Sequence, residues 1–221
     1  MNEQTSHDPA RRRFQGFAAA SLLLACLPAN AAAPAVQAGV DYLPVDPPQP
    51  TDSAGKIEVL EFFSYGCPHC GDLNPLLKAW AARLPADVVL RRVPVSFGRA
   101  AWANLAKLYY ALEITGDLAR LDDPVFTAVN KERANLFTER TIIDWVAARG
   151  IDRKRFADAF ASFGVASQLA RSDDLVKRYR IDAVPRLTVA GRYNVVAQRA
   201  KGYEDMLALT GRIVDLARSA R

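Results

Sequence analysis

Lys56-Ile-Glu-Val-Leu-Glu-Phe-Phe63 is followed, after Ser64-Tyr65-Gly66, by Cys67-Pro68-His69-Cys70. This junction constrains the fold more than any other stretch. The apolar run is rich in β-branched and aromatic residues, which predicts a buried strand. Proline is favoured at the first position of a helix, where its missing N–H leaves nothing unpaired. The run must therefore stop and turn at once into a helix, predicted from Pro68 to about Leu84, with Cys67 as its N-cap. A strand that delivers two cysteines to a helix start is a demanding arrangement, and Glu61 inside the apolar run is a second demand.

Two cysteines three positions apart have three uses. A structural zinc site wants four ligands, commonly two pairs. Beyond the leader only Cys67, Cys70 and His69 are available, so no metal is expected. A bracing disulfide stabilises more when it closes a long loop, and this one closes a ring of four residues. Redox exchange fits the local geometry. A thiolate at the N-cap faces the N–H groups of His69 and Cys70 and the positive end of the helix dipole. A protonated His69 adds charge. Each effect lowers the pKa of Cys67 and stabilises the reduced state, which makes the disulfide a strong oxidant. Cys70 lies one turn deeper. A substrate thiolate would attack Cys67 and expel Cys70, and a second substrate thiol would resolve the mixed disulfide.

The start of the chain bears on this chemistry. Arg11-Arg12-Arg13, the apolar stretch to Leu27 and the small residues of Pro28-Ala-Asn-Ala-Ala-Ala33 form a secretory signal peptide. Ala29-Asn30-Ala31 fits the cleavage site, so residues 1–31 are read as signal, with a short membrane anchor as the alternative. Arg11-Arg12-Arg13-Phe14 loosely matches a twin-arginine signal, so the route, general secretion or twin-arginine, stays open. Leu23-Leu24-Ala25-Cys26 loosely matches a lipoprotein box, so removal or lipidation of Cys26 also stays open. Loss of the leader leaves Cys67 and Cys70 in an exported protein, where disulfides persist. Taking its three Arg, one Glu and one Asp from 29 basic and 24 acidic residues leaves 26 and 22, a net charge of +4. So mild a charge, without a basic cluster, argues against nucleic acid as a partner.

The remaining 190 or so residues suit one globular domain or one with a large insertion. Residues 34–55 read as an extended leader, with a short edge strand at Tyr42-Leu43-Pro44 and a stiff turn at Pro47-Pro48-Gln49-Pro50. Val88–Val95 reads as a second strand. From Arg99 to Arg180 the periodicity is helical: one helix over Ala101–Leu112, one capped by Thr138 and stopped by Gly150, one capped by Asp152 and one over Ala166–Tyr179. Strand character returns at Arg186–Ala190, with a turn at Gly191-Arg192, a partner strand at Val195–Ala197 and a closing helix from Glu204 to Ala217. Strand–helix–strand, a helical block, then strand–strand–helix implies an α/β sheet interrupted by an all-helical insertion.

Phe62-Phe63-Ser64 with Cys67-Pro68-His69-Cys70 resembles the bacterial DsbA family of periplasmic thiol:disulfide oxidants, whose low-pKa cysteine and oxidising couple define the type. Pro75 resembles the proline that kinks the active-site helix of thioredoxin-fold proteins. Ala183-Val184-Pro185, followed by Arg186-Leu187-Thr188-Val189 and Gly191-Arg192-Tyr193, resembles the family's cis-proline loop. The resemblance spans nearly all of the mature chain. It implies a thioredoxin fold at 32–98 and 181–221, with a helical insertion domain at 99–180 between the second and third core strands. It also implies substrate binding at Val184 and Pro185, and no cofactor beyond a redox-active Cys67–Cys70 disulfide. Implied partners are reduced secreted proteins and a quinone-linked membrane oxidase of the DsbB type, and the expected state is a periplasmic monomer. DsbA proteins are similar in carrying an acid six residues before the first cysteine, which implies proton exchange with Cys70 for Glu61. Burial would raise the pKa of Glu61, with Arg92 as its partner; the other reading is a structural residue that reaches solvent or an arginine. Pro68 and His69 complete the candidate catalytic set.

Trp102, Tyr109 and Tyr110 lie at helical spacing and are read as core. Tyr65 and Gly66 are candidates for lining a substrate groove. The competing functions are a disulfide isomerase, a reductant for cytochrome maturation, or an exported binding module. Isomerases of the related DsbC type carry an N-terminal dimerisation domain, for which 34–55 is too short, and usually Thr where Val184 stands. The intact cysteine pair argues against the binding module.

Overall fold

The computed structural model describes residues 35–196 and 198–220. The signal-peptide reading of 1–31, and Cys26 with it, lies outside the described residues. Five strands form one sheet: β1 (Tyr42–Pro44), β2 (Ile57–Phe63), β3 (Val88–Pro94), β4 (Arg186–Val189) and β5 (Tyr193–Val195), in the order β1-β5-β4-β2-β3. β2 pairs parallel with β3 and antiparallel with β4. Every residue of β2 is buried, as its near-continuous apolar sequence requires of a strand covered on both faces.

The helices are α1 (Pro68–Ala81), α2 (Ala100–Thr115), α3 (Leu118–Asn130), α4 (Glu139–Ala147), α5 (Arg153–Phe160), α6 (Phe163–Arg178) and α7 (Tyr203–Ser219). All of α2–α6 lies between β3 and β4. This is the thioredoxin fold interrupted by an all-helical insertion between its second and third core strands. Along β2 side chains alternate faces, so Ile57, Val59, Glu61 and Phe63 share one face. Ile57 and Val59 pack on Leu73 and Leu77 of α1 and Ile213 of α7. Phe63 instead joins both cysteines in a core with Leu105, Leu108 and Phe126 of the helical block. The cysteines therefore sit on the seam between sheet and insertion.

Four boundaries differ from the sequence reading, each for a local reason. Helix α1 ends at Ala81 rather than near Leu84, because Arg83 and Leu84 bond back three residues, to Trp80 and Ala81, before Pro85 forbids helix at its neighbour. Helix α6 begins at Phe163 rather than Ala166, because the Ser162 hydroxyl accepts the N–H of Val165 at 3.2 Å and caps an earlier turn. Helix α3 is distinct, cut from α2 by the left-handed Gly116 (φ 76°). Strand β5 spans Tyr193–Val195, not Val195–Ala197. Ala190 (φ 54°) and Gly191 (φ 67°) make a tight turn closed by the Arg192 N–H on the Val189 carbonyl at 3.0 Å, so the return strand starts at once. Gly191 is obligatory, since a Cβ there would lie 2.0 Å from the Gln49 carbonyl oxygen. The leader crosses at that point, the Gln49 N–H donating to the Gly191 carbonyl at 2.8 Å.

Candidate active site

Cys67 is the N-cap of α1 and Pro68 its first helical residue. Cys70, on the same face one turn on, is fully buried, while Cys67 is 6% exposed. The two sulfurs are held as thiols. The Cys67 thiol donates to the Val184 carbonyl at 3.4 Å, and the Val184–Pro185 peptide is cis. Two segments 117 residues apart thus meet at one sulfur.

The Cys67 thiol falls from the ordinary cysteine value to about 6. The largest cause is a hydrogen bond from the Cys70 thiol, which stabilises the thiolate; the Cys70 N–H, the charge of His69 and its N–H follow, and burial opposes them. As a thiol, Cys67 caps no N–H in full geometry, because it points at Val184. As a thiolate it faces those N–H groups, and their dipoles contribute all the same. Cys70 moves the other way. Burial raises its pKa most, and the charge and hydrogen bond of Cys67 and the charge of Glu61 add to it. The pair is thus one acidic, reachable sulfur and one buried sulfur that keeps its proton. The Cys70–Cys67 hydrogen bond follows from their i, i+3 spacing, and the sequence reading overlooked it.

Beneath the cysteines lies a buried charge network. Glu61 and Arg92 are direct partners in the β2–β3 register. The Arg92 Nε donates to Glu61 Oε2 at 2.5 Å and Nη1 to Asp122 Oδ1 at 2.9 Å, with the guanidinium 4.0 Å from the centre of the Phe63 ring. Asp122, from α3, also accepts the Tyr65 hydroxyl at 2.8 Å, and Lys78 Nζ makes a charge contact with its Oδ2 at 2.7 Å. Glu61 is completely buried and its Oε1 has no partner. Burial raises the Glu61 pKa, against the pull of Arg92; the Arg92 and Lys78 charges and the Tyr65 hydroxyl hold Asp122 below the usual carboxylate range despite burial. The surroundings thus push the two acids in opposite directions.

Tyr65 is 1% exposed and lines no groove: its hydroxyl is spent on Asp122, and its carbonyl accepts from Asn130 Nδ2 at 2.9 Å. Gly66 is fixed by contact, since a Cβ there would meet Trp102 Nε1 at 2.8 Å. Tyr109 and Tyr110 are core residues, and Trp102 packs half-buried against the same cluster. Asp122 and Lys78 went unnoticed in the sequence. A single acid on an amphipathic helix carries no mark of burial until α3 is docked on α1.

A model of the DSBA-like thioredoxin domain matches residues 58–208. A Bordetella parapertussis protein named thiol:disulfide interchange protein DsbA is 43% identical over 163 residues, covering 73% of this chain and 77% of that protein. Its Burkholderia cepacia namesake is 36% identical over 88% of this chain and 90% of its own length. Among solved structures, Pseudomonas aeruginosa DsbA superposes with a TM-score of 0.79 at 34% identity, covering 84% of this chain and 96% of that one.

Proposed function

The chain belongs to the DsbA-like thioredoxin family and is a thiol:disulfide oxidoreductase, and from that premise we propose that it is an exported oxidase that donates the Cys67–Cys70 disulfide to newly secreted proteins. Its compartment is the periplasm, reached through the leader at 1–31. The thioredoxin-like part comprises 32–98 and 181–221, and 99–180 forms the insertion. One observation carries the reading: Cys67 sits at the N-cap of α1 against the Val184 carbonyl while Cys70 lies fully buried one turn on, a placement that lowers the Cys67 pKa to about 6 and raises that of Cys70. That asymmetry stabilises the reduced pair and makes the disulfide oxidising.

A client thiolate attacks Cys67 Sγ. A client–Cys67 bond forms, the Cys67–Cys70 bond breaks, and Cys70 leaves with the electron pair. Cys70 is expelled as a thiolate into a buried site that raises its pKa. Cys70 then takes a proton, with Glu61 as the adjacent exchanger. A second client thiolate attacks the client sulfur, and Cys67 departs as its stable thiolate. Two client thiols become one disulfide, and Cys67 and Cys70 gain the two electrons. Pro68 sets the helix start, His69 tunes Cys67, and the backbone at Val184 and Pro185 orients the client chain, as the contact of Cys67 with the Val184 carbonyl supports. The pair needs no further cofactor and is re-oxidised by a membrane oxidase of the DsbB type. The protein acts as a monomer.

The test is the reduction potential of the Cys67/Cys70 pair against glutathione. A value far more oxidising than thioredoxin's is expected, and one as reducing as thioredoxin's sinks the oxidase reading. Cys67→Ser should abolish peptide oxidation, and residual turnover would sink the mechanism.

A further inference from the structure

A cleft of about 470 Å³ opens between α1 and α3, starting at Pro68 beside Cys67 and reaching Pro75 and Thr127. It includes no residue of the Val184–Pro185 loop. Gly71 keeps it open: a Cβ there would lie 3.4 Å from Phe126 Cδ1 and 3.5 Å from Asn130 Nδ2, so any longer side chain would grow into the gap. Glycine inside a helix costs about 1 kcal/mol relative to alanine, and no positive φ calls for it here.

The walls combine apolar surface with hydrogen-bond acceptors. Phe126 and the two prolines supply the apolar part. Asn74 is 2% exposed; its amide nitrogen donates to Asp123 at 2.6 Å, which fixes the amide, and its Oδ1 has no partner. A buried acceptor left unpaired is costly and calls for a donor. Pro75 lacks the N–H that would bond the Gly71 carbonyl in a regular helix. Asp72 and Asp123 add carboxylates, the second already paired with Lys78, and Lys131 is the one cation of the lining.

We propose that this cleft is a client subsite that takes an extended, unfolded stretch of polypeptide flanking the reacting cysteine, with an apolar side chain on Phe126 and a backbone N–H on Asn74 Oδ1. An unfolded chain brings unpaired N–H groups, whereas an anion would meet mostly acceptors. From Cys67 to Pro75 the helix advances about 12 Å, which an extended chain covers in about three to four residues. The inference rests on the oxidase reading.

The experiment compares kcat/KM for dithiol peptides carrying none, two or four residues outside the cysteine, on either side, with kcat/KM for dithiothreitol. In the unsubstituted protein the ratio should rise with flank length on one side and level off at about four residues. Thr127 is exposed on α3, so Thr127→Trp should fold and fill the cleft. It should cut the four-residue ratio by about tenfold and leave the no-flank ratio alone, while Thr127→Ser keeps both. A length-independent ratio, or one that Thr127→Trp lowers equally for all peptides, overturns the subsite. Thr127→Trp-sensitive self-association by sedimentation would assign the cleft to a second copy and overturn it too. Failure to oxidise dithiothreitol as well as the peptides would instead defeat the oxidase reading itself.

Discussion

Cys67 owes its acidity to neighbours within one helical turn, so its titration can be stated in advance. In the reduced protein the thiolate absorbance near 240 nm should appear with a midpoint at about pH 6. Above that pH, reduction takes up one proton, at Cys70; below it, two. The reduction potential should therefore fall by about 30 mV per pH unit above the midpoint and about 60 mV below it. His69→Ala removes one of the stabilising charges. It should raise the midpoint and make the pair less oxidising, by about 30 mV for each unit of pKa; an unmoved midpoint would exclude His69 as a tuner. These residues were legible because cap, proline and histidine are adjacent in the chain. Glu61 was legible only as a misfit in an apolar run. Its burial raises its pKa, so its carboxylate forms above the ordinary range. If it accepts the Cys70 proton, re-oxidation should gain an acidic limb as Glu61 ionises. Glu61→Gln should erase that limb, and an identical pH profile would leave Glu61 a structural role alone.

Elements decide what these residues face. The β2–β3 register sets Glu61 opposite Arg92, and the docking of α3 on α1 brings Asp122 to the same guanidinium. Breaking a buried ion pair by removing one partner costs about 3–5 kcal/mol, because the other charge stays behind. Arg92→Met abandons two carboxylates and should lower the melting temperature by about 10 °C, at roughly 2–4 °C per kcal/mol for a domain of this size. Arg92→Lys keeps the charge but not the fork that serves both acids and should fall in between. A loss under about 2 °C for Arg92→Met would show that the network carries little stability. Elements signalled by local chemistry, such as β2, β3 and the helices capped by Thr138 and Asp152, were legible. Strand β5 was misplaced by two residues because two positive φ angles at Ala190 and Gly191 shorten the turn, and Ala190 gives no hint of one. Asp122 was invisible because its burial depends on packing between segments far apart in sequence.

For the whole molecule, the question is how redox state and pH jointly set stability. The order of strands and helices was readable from periodicity, but periodicity does not say which face of the insertion meets the sheet. That placement buries Cys70, leaves Cys67 just reachable and thereby couples folding to thiol ionisation. The folded pKa of Cys67, about 6, lies below the unfolded cysteine value of about 8.5. A depressed pKa gives the reduced fold stability that is fully present above the unfolded pKa and lost as pH falls through about 6. By linkage the gain between pH 4 and pH 7 is about 1 kcal/mol, allowing for solvent screening at the mouth of the site. The disulfide offsets this by constraining the unfolded chain by about 2 kcal/mol for so small a ring, a contribution independent of pH. The sign of the oxidised-to-reduced difference at one pH is therefore uninformative, whereas its slope is diagnostic. Paired urea denaturations of the two redox forms should show the reduced protein gaining about 1 kcal/mol on the oxidised one from pH 4 to pH 7, and Cys67→Ser, which has neither the thiolate nor the disulfide, should follow the pH dependence of the oxidised form. A flat difference across that range would mean that Cys67 is no more acidic in the fold than in the unfolded chain, and the oxidase reading would lose its physical basis.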